Sequence, residues 1–167
     1  MGSGKSTLGR RLAECLGWTF VDLDVALELQ QGDSIRNIIA RHGEKDFRDL
    51  ELETLRRHVA APPQACVTAT GGGLIEVPEA RPLLAALGQV VWLRADPEVC
   101  VARLGAATAT RPFLDADGDW RARYQRRESL YAQLAQHVVE THPASEESSL
   151  AALVRYVGDR VDAPDGG

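Results

Sequence analysis

The stretch Gly2-Ser3-Gly4-Lys5-Ser6-Thr7 runs straight into the apolar-periodic segment "LGRRLAECL" and constrains the chain most. Its glycines allow backbone N–H groups to turn inward, and the N-terminus of the following helix adds partial positive charge. Residues 2–7 therefore read as a cradle for phosphate oxygens. Lys5 would reach the β- and γ-phosphates of a nucleotide such as ATP, and the Ser6 hydroxyl would ligate Mg²⁺. The bland alternative is a chance Gly/Ser turn ahead of a helix. A complete G-x-x-x-x-G-K-[ST] loop carries a first glycine and a buried strand in front of it. Here both would precede Met1. The expectation is a natural chain that begins upstream, with Met1 an internal residue of the loop. It stays open whether the chain without that strand is active.

Composition narrows the class. A chain of 167 residues suits one domain spanning 1–167, and 44% hydrophobic with 26% charged residues is ordinary for a soluble protein. The formal net charge of −5 argues against nucleic-acid partners. No apolar run is long enough for a membrane span, and no signal peptide opens the chain. Cys15, Cys66 and Cys100 are odd in number and widely spaced, as expected of reduced thiols in the cytoplasm. His42, His58, His137 and His142 lack metal-ligand spacing and receive no metal role.

Strand-like and helix-like segments alternate. Helical periodicity covers Lys5 to Leu16 and stops at Gly17. "TFVD" (19–22) is strand-like, and a helix follows through Val25–Gln31. Ser34 can cap a helix that Gly43 ends, and a charged helix runs from Glu44 to Ala60. "ACVTA" (65–69) and "VVWL" (90–93) read as strands, separated by a helix from Arg81 to Leu87. Pro97 opens another helix. Residues 105–119 are small, polar and turn-rich, and read as a mobile loop. Helix is expected from Trp120 to Gln136, strand at "HVVET", and helix over "SSLAALVRYVGDRV". Residues 163–167 read as a frayed tail. This order implies α/β architecture, with a parallel sheet covered on both faces and ligands at the carboxyl ends of its strands.

Other polar motifs fall at such ends. Asp22 and Asp24 stand two apart at the end of the first strand. Alternation would put both carboxylates on one side, suited to one acid near Mg²⁺ and one near an acceptor hydroxyl. Equally, Asp24 could merely cap the next helix. In "DFRDLE", Arg48 and Glu51 share a helix face. They form either a surface salt bridge or an oriented anion grip. The triplet Gly71-Gly72-Gly73 ends the second strand, and three glycines suit close approach of a ligand better than a plain turn. Arg111 sits in the turn-rich loop, where a closing lid would bring it to a transferring phosphoryl group, or where it is simply solvated. Arg126 and Arg127 read by default as a wet basic helix face.

The succession "MGSGKST", "FVDLD", "FRDLE", "ATGGG", "RPFL" and "RRESLY…VVET" resembles the shikimate kinases over almost the whole chain. The resemblance implies a P-loop NTPase-like three-layer α/β/α fold, nucleoside-monophosphate-kinase-like, with a mobile lid. It implies transfer of the ATP γ-phosphate to the 3-hydroxyl of shikimate. Residue by residue, it assigns Lys5 and Ser6 to ATP and Mg²⁺, Asp22 to Mg²⁺, and Asp24 to the acceptor hydroxyl. Arg48 and Arg127 would clamp the shikimate carboxylate, Gly71, Gly72 and Gly73 would wall the pocket, and Arg111 would be the lid arginine. The chain departs from the family in three places. It has His142 and Pro143 where a basic residue often lies near adenine. Arg103 is the one basic residue close ahead of the loop, and Ser129 stands where proline is common.

Two other readings compete. Another small-molecule kinase, acting on gluconate or a nucleoside monophosphate, would share the first motif but would not be expected to combine "FRDLE" with "TGGG". A non-catalytic ligand sensor would not need Lys5, Asp22 and Asp24 together. The acidic charge and compact size are compatible with a monomer.

Overall fold

The computed structural model describes residues 2–104 and 120–161. The expected lid, with Arg111, and the expected tail lie outside the described residues. Helix α1 (Lys5–Leu16) leads into β1 (Thr19–Asp22), α2 (Leu23–Gln31) and α3 (Ile35–Ala60). Then come β2 (Cys66–Ala69), a 3₁₀ turn (Leu74–Glu76), α4 (Ala80–Ala86) and β3 (Val91–Arg94). The described chain ends with α5 (Pro97–Leu104), α6 (Trp120–Leu134), β4 (His137–Glu140) and α7 (Glu146–Val161).

All strand pairing is parallel. β1 pairs with β2 so that Asp22 lies opposite Ala69, and β3 pairs with β4 so that Arg94 lies opposite Glu140. Among the described residues these form two two-stranded sheets, with no ladder between β2 and β3. Packing joins them. Leu8 and Leu12 of α1 share a cluster with Val67 of β2, Val91 and Leu93 of β3, Val139 of β4, and Leu150 and Leu153 of α7. Strand alternation sends Val21 to the opposite face, against Leu52 and Leu55 of α3, Leu74, Ile75 and Leu84. Trp92 likewise faces away from its neighbours and stacks on Tyr131 of α6 at 5.6 Å. The result is three layers, with α1 and α7 on one side and α3, α4 and α6 on the other.

Caps explain where the boundaries differ from the periodicity. α2 starts at Leu23, because Asp22 adopts extended backbone and its Oδ1 accepts from Asp24 N at 3.1 Å. Asp22 is therefore the cap that the sequence offered to Asp24. Ser34 caps α3 as expected, with Oγ accepting from Asn37 N at 3.2 Å. The expected break at Gly43 is a kink inside one helix, with φ 84°. α7 begins at Glu146 because Ser145 Oγ accepts from Ser148 N at 3.1 Å, and Glu146 and Glu147 favour its positive end.

Leu55 is completely buried at the centre of the α3 cluster. Leu55→Ala is expected to lower stability by about 2–5 kcal/mol, because transfer and cavity terms add. Equilibrium urea unfolding of both proteins measures it.

Candidate active site

The loop forms because two glycines take conformations closed to other residues. Gly2 and Gly4 have φ of 74° and 88°, and Gly4 occupies the position just before α1. The first intrahelical bond runs from Leu8 N to Gly4 O at 2.8 Å. The N–H groups of Lys5, Ser6 and Thr7 thus have no acceptor within the helix and can serve a phosphate. Leu8 and Leu12, four apart, anchor the helix in the core and fix where this end points.

β1 delivers two carboxylates to the loop, by different routes. Ser6 Oγ donates to Asp22 Oδ2 at 2.7 Å. Lys5 Nζ lies 3.5 Å from Asp24 Oδ2. The expected strand alternation does not produce this, because the strand ends at Asp22. The first turn of α2 carries Asp24 round to the same side. Hydroxyl and carboxylate oxygens of Ser6 and Asp22 are the hard donors that Mg²⁺ prefers, and their mutual contact brings them to one point. Thr7 is exposed beside them.

α3 supplies the second half. Its Arg48 and Glu51 form a close ion pair, and Arg48 Nη2 also reaches Glu44 Oε1 at 3.0 Å. A surface salt bridge is excluded by burial, since the Arg48 side chain is 16% exposed and that of Glu51 only 6%. Burial pushes the Glu51 carboxyl above its usual range. Arg48 pulls it back, Asp24 adds to the rise, and Arg127 opposes it. Burial also works against the Arg48 charge, but Glu51 and Glu44 more than offset it and hold the guanidinium protonated. Asp24, Arg48, Glu51 and Arg127 thus lie in one electrostatic neighbourhood.

The glycine triplet is explained by space. A Cβ on Gly71 would overlap Glu51 Oε1 and come within 2.9 Å of Asp24 Oδ1. A Cβ on Gly73 would fall on the guanidinium of Arg48. Gly72 uses its carbonyl, which accepts a hydrogen bond from Tyr131 Oη at 2.6 Å. Only glycine lets β2's exit lie directly against these charged groups.

Arg127 is not on a wet face. Its Nε donates to Glu76 Oε2 at 2.7 Å, and its Nη2 lies 2.6 Å from the same oxygen. The sequence reading missed Glu76, because nothing in its surroundings marks it until the 3₁₀ turn brings it to α6. It also passed over Tyr131, although Tyr131 stands four residues after Arg127 and so shares its helix face. Arg103, at the end of α5, donates from Nη2 to Thr141 O at 2.7 Å and from Nη1 to Gly2 O at 3.4 Å. It ties the loop to the segment after β4. No group of three or more candidate metal-ligating His, Cys, Asp or Glu occurs among the described residues.

This three-layer frame, with its glycine turn at the head of α1, defines a phosphate-binding-loop α/β protein of the nucleoside-monophosphate-kinase type. The family model for shikimate kinase matches residues 1–157. Shikimate kinase from Moorella thermoacetica is 43% identical over 165 residues, covering 98% of this chain and 91% of that protein. The Geobacter metallireducens shikimate kinase is 40% identical over 163 residues, or 96% and 89% of the two chains. Among solved structures, shikimate kinase from Acinetobacter baumannii in complex with shikimate superposes with a TM-score of 0.88. It is 31% identical and covers 98% of this chain and 91% of its own. The Aquifex aeolicus shikimate kinase gives a TM-score of 0.77 at 28% identity, covering 98% and 95%. The chain belongs to the shikimate kinase family.

Burial raises the Tyr131 phenol from near 10 to about 12. A raised value means that stability is fully present below pH 10 and is lost as pH climbs toward 12. The loss attributable to this group is about 2–3 kcal/mol. Tyr131→Phe should cost about 1 kcal/mol at neutral pH, for the lost bond to Gly72, and should flatten the alkaline decline. Thermal melts of both proteins from pH 8 to 12 measure the difference.

Proposed function

We propose that the protein is an ATP-dependent kinase that transfers the γ-phosphoryl group to the 3-hydroxyl of shikimate, yielding shikimate 3-phosphate and ADP. The observation that carries this reading is the shared wall of the two half-sites. Asp24 touches Lys5 on one side and faces Gly71 and Glu51 on the other. An acid for the acceptor thus stands between a phosphate cradle and an anion grip.

The roles follow from that order. Arg48, held by Glu51 and Glu44, and Arg127 grip the carboxylate of the substrate ring. Gly71, Gly72 and Gly73 let the ring lie against backbone. The ring's far end then presents its hydroxyl to Asp24, which orients it and receives its proton as the oxygen bonds to phosphorus. The bond from the γ-phosphorus to the bridging oxygen breaks, and ADP leaves with the electron pair. Lys5 and the N–H groups at the head of α1 spread the charge of the transferring group. Ser6 and Asp22 would hold Mg²⁺, which when bound neutralises phosphate charge. Arg111 is assigned the lid position over the phosphates. The family membership and a chain of this size and charge support one kinase domain over residues 1–167, working as a cytoplasmic monomer on a small molecule. Among the described residues, no helix is long and apolar enough to cross a membrane.

ADP release should be fastest with shikimate when shikimate, gluconate and AMP are compared at equal concentration with ATP and Mg²⁺. No preference for shikimate would overturn the assignment. Asp24→Asn keeps the shape but removes the charge and the proton site, so kcat should fall on the order of 10²–10⁴-fold. Near-normal turnover would exclude a proton-accepting role.

A further inference from the structure

The two arginines of the anion grip are held in different ways. Arg48 is pinned by Glu51, which is almost wholly buried. Among the described residues, the hydrogen bond and close ion pair of Arg127 go to Glu76, with Glu51 a more distant opposite charge, and Glu76 is partly exposed at the end of a short 3₁₀ turn. One oxygen, Oε2, takes both Nε and Nη2 of Arg127. That is the side of a guanidinium that a carboxylate grips with two parallel bonds. The other oxygen, Oε1, already faces Arg126 Nε at 3.9 Å. Arg127 is 14% exposed, whereas Arg126 is 64% exposed. A single carboxylate therefore sits between an inner cation and an outer one.

Resting on the substrate reading above, we propose that Glu76 mimics the substrate's carboxylate on Arg127, must be displaced by it, and so sets its affinity. A buried guanidinium without a partner is costly, and Glu76 supplies the carboxylate that Arg127 needs. An arriving ring carboxylate needs the same edge, and two carboxylates on one guanidinium repel. Glu76 passes to Arg126 at the rim, a short rotation away, and frees Arg127. Glu76 is thus a positioning residue that acts through Arg127, and its effect depends on the charge of the ligand.

The test is steady-state kinetics of the full chain and two variants, with shikimate and with its uncharged methyl ester. Glu76→Gln should lower KM for shikimate roughly three- to tenfold, leave KM for ATP unmoved, and give no gain with the ester. Arg126→Gln removes the rim partner and should raise KM for shikimate. A Glu76→Gln KM that rises or stays unchanged, an equal gain with the ester, or an Arg126→Gln KM that does not rise would overturn the proposal. If Glu76→Gln does not fold, Glu76→Asp carries the same expectation, because its carboxylate stops one methylene short of Arg127. A parent chain that turns over ATP with another acceptor and ignores shikimate overturns the substrate reading, and this proposal with it. A parent chain that accepts shikimate while the variants behave otherwise overturns this proposal alone.

Discussion

A buried carboxylate, Glu51, organises the part of this molecule where α3 meets the glycine triplet. It lies in the interior of α3 with its charge opposed by Arg48, and it presses on the space that a side chain at Gly71 would need. Leaving either partner of such a pair alone in the interior would be costly, so each fixes the other's rotamer. The rest follows from that constraint. Arg48 cannot relax toward solvent, Gly73 must stay bare to accommodate it, and β2 must exit through residues without side chains.

Much of this was legible in the sequence, for identifiable reasons. The loop, the helix behind it and the strand order are local signals, set by glycine conformation and by periodicity. The spacing of Arg48 and Glu51 announced a shared helix face, though not its burial, since burial depends on what packs across from α3. Asp22 and Asp24 do both reach the loop, though by a different route from the strand alternation expected of them. Both carboxylates reach the loop because Asp22 ends the strand as a helix cap, and Asp24 then turns with the helix. Glu76 and Tyr131 were not legible as parts of the site. Their partners lie 51 and 59 residues away in sequence, and no local pattern encodes contacts of that range.

The parallel order expected from alternating elements is present, but the two strand pairs do not share a ladder among the described residues. Cohesion between them comes from side chains. Leu8 and Leu12 reach into both pairs through Val67, Val91, Leu93 and Val139. The same helix whose N-terminal N–H groups are proposed to bind phosphate is thus the element whose apolar stripe joins the sheets.

The capped end of β1 has a consequence for how the reaction coordinate is enforced. The phosphate cradle belongs to α1, whereas the glycine wall is bolted to α6 through Tyr131 and backed by α3 through Arg48 and Glu51. These are two jaws built on opposite faces of the strands. The short run from Asp22 to Asp24 touches both, through Ser6 and Lys5 on one side and Gly71 on the other. In the proposed reaction, donor and acceptor would therefore be registered against one three-residue gauge. An error in the span between the jaws would be felt first at those two carboxylates.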